Sequence, residues 1–162
     1  MINVGERIAI TYFEAFKAKN PEQMSVLYRP GVKAIFTDPV FQNLNSDEVA
    51  AMWNMLLRGA KDLNVNYKIL SADETSAEVE WVAYYTYSPT KRKVKNSVRT
   101  KFVFEKEQIA SQTDSFDLCA WTDQALPPIA SQLFCWFPNY TIRKIARSQL
   151  TKHINKSKKL EP

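Results

Sequence analysis

Val94-Lys95-Asn96-Ser97-Val98-Arg99-Thr100-Lys101-Phe102-Val103-Phe104 alternates: Val94, Asn96, Val98, Thr100, Phe102 and Phe104 on one side, Lys95, Ser97, Arg99, Lys101 and Val103 on the other. Side chains of a strand point to opposite faces in turn, so this period of two predicts a strand with one covered face. The same pattern runs backward through Ala77, Val79, Trp81, Ala83, Tyr85 and Tyr87, and before that through Val65, Tyr67 and Ile69. Ile109 to Leu118 reads as one further strand. The connections are short: Asp73-Glu74-Thr75, the loop Ser88 to Lys93 with Pro89, and Glu105 to Gln108. Strands joined so briefly must be antiparallel, because parallel neighbours need a long crossover. The result is a bent meander whose covered face needs a partner layer, and the helices of the N-terminal half are available to supply it.

Those helices are legible from their apolar spacing and their ends. Ile8, Tyr12, Ala15 and Phe16 share one face of a helix over about residues 3–18. Asn20-Pro21-Glu22 opens a second helix with a cap, a proline at the first position and an acid near the positive end of the dipole. Met24, Leu27 and Tyr28 form its inner face, and Pro30-Gly31 ends it. Asn45 or Ser46 caps a third, in which Val49, Met52, Trp53, Leu56 and Ala60 form the apolar stripe. Between them Val32 to Phe36 forms a short strand leading into Phe36-Thr37-Asp38-Pro39-Val40-Phe41. Pro39 cannot donate a ladder hydrogen bond and holds Asp38 extended, so the strand stops there with a carboxylate at its mouth. Two readings of Asp38 follow. An aspartate before proline caps its own turn; a carboxylate among Phe36 and Phe41 is poorly solvated, so its pKa rises and it can shuttle protons near neutrality.

Charge is unevenly distributed. Residues 143–162 hold seven of the 22 bases against one acid, so the other 142 residues, with 15 bases and 16 acids, are close to neutral. The chain therefore reads as a domain over residues 1–126 and a basic helical extension over 127–162. In that extension the apolar run Leu133-Phe134-Cys135-Trp136-Phe137 precedes a helix with Ile142, Ile145, Ala146, Leu150 and Ile154 on one stripe. The only histidine, His153, lies there too, which removes His-based zinc sites and Ser-His-Asp or Cys-His catalysis from the domain. No metal site and no cofactor is expected. Cys119 and Cys135 lie in apolar surroundings with no CxxC, which suggests two buried, reduced thiols in a reducing compartment. The first residues lack the pattern of a signal peptide and no run approaches the roughly 18 apolar residues of a membrane span. A cytoplasmic location is expected.

The order of elements, together with Tyr12-Phe13-Glu14-Ala15-Phe16, Phe36-Thr37-Asp38-Pro39-Val40-Phe41, Met52-Trp53, Asn96-Ser97-Val98-Arg99 and Asp114-Ser115-Phe116-Asp117, resembles the nuclear transport factor 2-like superfamily. The nearer resemblance is to its SnoaL-like branch, over about residues 4–126. It implies an α+β conical barrel, open at one end and dimeric through its sheet. The superfamily includes ketosteroid isomerase, polyketide cyclases, limonene epoxide hydrolase and non-catalytic binding scaffolds. By resemblance to the isomerase, Asp38 is the general base and Tyr12 the donor to a developing enolate. Thr100 stands where that enzyme has a neutral acid, so the isomerase set is incomplete. By resemblance to the cyclases, Asp114 is the acid/base. Gln112 and Thr37 stand where many relatives carry histidine. An epoxide hydrolase would need an arginine between two aspartates, and Arg99 is out of phase with the inward row.

Aromatic side chains at these spacings are core first, but a pocket for a flat apolar ligand could take Phe16, Phe36, Trp53, Trp81, Tyr85, Thr100, Phe102 and Gln112 as its lining. Asp117 falls on the opposite strand face and is expected to pair with Arg99 or Lys101. The candidate functions are then three. The first is a cofactor-independent enzyme acting on a small carbonyl or epoxide compound through Asp38, Asp114 and Tyr12. The second is a binding module, homodimeric through the sheet, that has lost the imidazoles. The third is a protein held to a membrane surface by residues 133–159. Nucleic acid is not expected as a partner, because the bases are not interleaved with stacking aromatics.

Overall fold

The computed structural model describes all 162 residues. Three helices, α1 (Val4–Lys17), α2 (Pro21–Ser25) and α3 (Ser46–Gly59), surround a short strand, β1 (Phe36–Thr37). Strands β2 (Asn64–Ala72), β3 (Ser76–Tyr87), β4 (Arg92–Glu105) and β5 (Gln108–Ser115) follow, then α4 (Leu118–Ala125), α5 (Pro128–Trp136), a 3₁₀ turn at Pro138–Tyr140 and α6 (Ile142–Leu160). The sheet order is β1-β5-β4-β3-β2, antiparallel throughout except that β1 runs parallel to β5. Breaks in register between Ile69 and Ser71 and between Val103 and Phe104 add local twist to the sheet. This is the antiparallel meander anticipated from the alternation, in the α+β cone that the resemblance implies.

The caps explain where the N-terminal helices begin. Asn3, Asn20 and Asn45 each accept a backbone N–H through the side chain, and Asn45 with Glu48 completes a reciprocal capping box. Asn3 also donates to the Ala72 carbonyl at 2.8 Å, which pins α1 to the end of β2. Gly5 lies so close to the β2–β3 turn that a Cβ there would sit 2.2 Å from the Asp73 carbonyl oxygen. Ile8, Tyr12, Phe13 and Phe16 of α1, Met52 and Trp53 of α3, and Val79, Trp81, Val98, Phe102 and Phe104 of the sheet fill a single core between the layers.

Three expectations are corrected at the C-terminal end. The last strand stops at Ser115 because Asp117 caps α4, its Oδ1 accepting from the Ala120 N–H at 3.0 Å. Asp117 therefore pairs with neither Arg99 nor Lys101; Arg99 pairs with Glu78 and Glu80 on the outer face of the sheet. The cysteines are not two buried thiols: Cys119 is exposed, and it is bridged to Cys135 across α4 and α5, with Cα atoms 4.9 Å apart. The chain reverses at Pro127-Pro128, and that reversal brings residues 16 apart into bonding range. The extension is also packed into the body. Ala146 and Leu150 of α6 belong to the main core, and Ile142 joins Val94, Trp121, Ala125 and Leu126 in a second, smaller cluster. No helix is long and apolar enough to cross a membrane.

Candidate functional site

At the inner end of the sheet lies a buried polar chain assembled by strand register. Thr100 of β4 stands opposite Asp114 of β5, and Phe102 opposite Gln112. Because side chains alternate, Thr100, Gln112 and Asp114 all point inward, and all three are buried. Asp114 Oδ1 accepts from the Thr100 hydroxyl at 2.7 Å and from the Gln112 amide nitrogen at 3.0 Å. Trp81 Nε1 donates to Thr100 at 2.8 Å. Gln112 also donates to the Tyr12 hydroxyl at 3.1 Å and accepts from Tyr28 at 2.5 Å, while Trp53 Nε1 donates to Tyr28 at 3.0 Å. Both amide hydrogens and the amide oxygen of Gln112 are thus engaged, which fixes its orientation.

Asp114 Oδ2 receives no hydrogen bond from the protein. No fully enclosed side-chain nitrogen or oxygen lacks a partner, so this second oxygen keeps the small accessible surface of a residue that is 5% exposed. It is the open atom of the cluster. Burial pushes Asp114 up to about 6, and the Thr100 and Gln112 hydrogen bonds hold it from rising further.

Asp38 directly follows β1, which is shorter and later (Phe36–Thr37) than the expected Val32 to Phe36, and its side chain serves the turn. Its Oδ1 caps the turn, accepting from the Val40 and Phe41 N–H groups at 2.6 and 2.5 Å. Its Oδ2 has no protein partner. Burial pushes its pKa up to about 7, with the Asp114 charge adding to the effect; the two N–H bonds and the Arg143 guanidinium act against it. Arg143 arrives from α6, and its Nε donates to the Pro39 carbonyl at 2.8 Å, so the extension clamps the Asp38 turn. The two carboxyls are close enough for one to feel the charge of the other. Both carboxyls are raised from the ordinary aspartate range, burial being the main cause in each case.

Next to the Asp38 turn lies a cavity of about 220 Å³, walled by 18 residues of which 16 are apolar. Phe16, Trp53, Trp81 and Tyr85 line it. Phe36 and Phe102 are buried in the core, and Tyr12, Thr100 and Gln112 belong to the polar chain, none of them on the cavity wall. Asp38 and Asp114 do not form the wall either. Val40 and Phe41, the residues Asp38 caps, do form it, and the Asp38 charge contributes to pushing the wall residue Tyr85 up to about 12, burial being the larger cause. The hydroxyl of Tyr12 is enclosed between Tyr28 and Gln112, and burial raises its pKa well above the usual phenol value.

Several contributors escaped the sequence reading. Trp121 lines the cavity and donates to the Tyr85 hydroxyl at 2.7 Å; Ile142, Ala146 and Gln149 of α6 close one side. Asn96 and Gln149 are the two polar wall residues, and neither side chain has a hydrogen-bond partner in the protein. Asn96 could have been found, since it is a polar residue in the inward row of β4. Arg143 could not, because its partner is 104 positions away. No three His, Cys, Asp or Glu side chains gather as a metal ion would require.

A bent antiparallel sheet wrapped by helices, with inward carboxyls beside an apolar hollow, defines the conical-pocket class of α+β protein. Within it, this chain belongs to the SnoaL-like family: the SnoaL-like domain matches residues 9–112. No curated protein matches the sequence. Among solved structures it is similar to a candidate polyketide cyclase from Silicibacter sp. TM1040, with a TM-score of 0.61 and 18% identity over 78% of this chain and 99% of that one. IdmH, a candidate polyketide cyclase from Streptomyces antibioticus, gives 0.59 and 16% over 73% and 95%. A protein of ketosteroid isomerase-like fold from Catenulispora acidiphila, solved with trimethylamine, gives 0.60 and 16% over 74% and 93%. At these identities the likeness is one of fold. The family match ends at Gln112, so Asp114, the disulfide and α6 lie beyond it.

Proposed function

We infer that the protein binds a compact, largely apolar molecule in the cavity and exchanges a proton with it through Asp38 and Asp114, as a cofactor-independent isomerase, cyclase or hydrolase. One observation carries this reading: two inward carboxyls, each with one oxygen free of protein partners, lie one layer behind the apolar wall, Asp38 capping the wall residues Val40 and Phe41 and Asp114 linked through Thr100 to the wall residue Trp81. The hollow has room for about seven water molecules. That is below the lower end, about 300 Å³, of pockets for drug-sized ligands. Asn96 offers an unpaired amide to the cavity, which can donate to or accept from one polar group on an otherwise hydrocarbon ligand. Tyr12 acts through Gln112 in this reading, orienting the amide that holds Asp114. Two copies pairing through the outer face of the sheet complete it.

A second reading has its own support. Asp38 already serves its turn, and the wall itself holds no carboxylate. On that basis the cone is a binding module without chemistry. The two readings separate in a screen of small enolisable ketones, lactones and epoxides followed by solvent deuterium exchange. Catalysis predicts exchange or turnover that Asp38→Asn abolishes while affinity stays within a few fold. Unchanged binding with no exchange in the wild type favours the module.

A further inference from the structure

The outward side of α5 is unusually apolar. Ile129, Leu133 and Trp136 recur at helical spacing and are 78%, 49% and 67% exposed; Phe137 and Tyr140 follow directly at 53% and 82%. The inward side of the same helix, through Ala130 and Phe134, packs on the second core cluster. The outer stripe is therefore not core that has been left unfilled. The Cys119–Cys135 bridge fixes the end of α5 beside Trp136, which makes the stripe a rigid platform.

Charge indicates what covers it. From Gln124 to Leu160 the chain contains seven bases and not one acid. Arg147 pairs with Glu48 and Arg143 is held by Pro39 and Asn139. Lys144, Lys152, Lys156, Lys158 and Lys159 are all exposed, lie off the buried Ile142-Ala146-Leu150 stripe, and pair with no acid. A second copy set against this surface would bring like charges together. An anionic bilayer answers both features, because amphipathic aromatics settle at the headgroup level and lysines are drawn to anionic lipid.

We propose that α5, the following turn and α6 form a docking surface for anionic membranes, with Trp136, Phe137 and Tyr140 entering the headgroup region and the free lysines of α6 binding anionic headgroups. Since α6 also walls the cavity, docking brings an apolar ligand's source next to its site. That last clause rests on the ligand reading; the docking itself does not.

The test uses the full chain with vesicles of phosphatidylcholine alone and of phosphatidylcholine mixed with phosphatidylglycerol. Of the four tryptophans only Trp136 is exposed, the others being buried, so a blue shift of fluorescence reports on the platform. Docking predicts co-sedimentation and a blue shift with the anionic vesicles, both reversed by salt. Each of Lys144→Gln and Lys152→Gln lowers partitioning by about fivefold. Trp136→Ser with Phe137→Ser abolishes binding with an unchanged circular dichroism spectrum. Equal binding to neutral vesicles, or no binding to anionic ones, overturns the proposal. So does a concentration-dependent dimer that Trp136→Ser dissociates in the absence of vesicle binding, since the stripe would then be an interface between copies.

Discussion

Replacing Asp38 by asparagine should stabilise the protein, and more so as pH rises. The folded carboxyl titrates near 7 instead of the ordinary 3.8, so folding protects the proton. Between those values the native state holds a proton that the unfolded state has released. Stability contributed by this group is therefore full below about 4 and is lost as pH rises through about 7. The loss reaches about 4 kcal/mol above that range, at 1.36 kcal/mol per pKa unit. Asparagine keeps an oxygen that can accept from the Val40 and Phe41 N–H groups, so the turn survives, and it never ionises. The variant's advantage over wild type should widen by about 2 to 3 kcal/mol between about pH 5 and about pH 8. Urea unfolding at the two pH values measures it directly. An asparagine variant that is less stable by the same amount at both would mean that Asp38 is an ordinary turn cap with an ordinary pKa, and the account of a buried, pKa-raised carboxyl would be wrong. A stabilised but inactive variant is the pattern expected where a site is maintained at the expense of stability.

Thr100→Val removes a donor from Asp114 and strands the Trp81 indole N–H. It should cost about 1 to 3 kcal/mol in chemical denaturation and move the Asp114 titration upward; an unchanged titration would detach Thr100 from the site. Leu150→Ala, deep in the α6 contact, should cost about 2 to 5 kcal/mol, whereas a loosely attached extension would lose almost nothing. Under denaturing, non-reducing conditions thiol titration should find no free cysteine, and Cys135→Ser should lower stability by up to about 3 kcal/mol. Two free thiols in protein purified without reductant would remove the bridge from the account.

The meander and its covering helices were readable because their determinants are local. Alternation in Val65–Ile69, Ala77–Tyr87 and Val94–Phe104 specifies strand and face at once, and Asn20-Pro21 and Asn45 with Glu48 mark helix starts by short-range chemistry. The inward phase of Thr100, Gln112 and Asp114 was legible for the same reason. Their linkage to Tyr28 and Trp53 was not, since it depends on how α2 and α3 lean over the sheet. The C-terminal region was misread because its signals are weak or long-range. The run continuing β5 into Leu118 hides a helix start that only Asp117 marks, and α4 and α5 are eight and nine residues long. The disulfide depends on the reversal at Pro127-Pro128, and Arg143 looked like one base among seven until α6 was laid over the Asp38 turn.

Carbon-13 NMR of the aspartate side-chain carboxyls, followed through a pH titration of the wild type with Asp38→Asn and Asp114→Asn for assignment, addresses the paired carboxyls themselves. Two resonances should titrate far above the rest, near 6 for Asp114 and near 7 for Asp38, and removing Asp114 should lower the value for Asp38. If both titrate with the ordinary aspartates around 4, there is no poised pair beside the cavity and no basis for proton transfer in it.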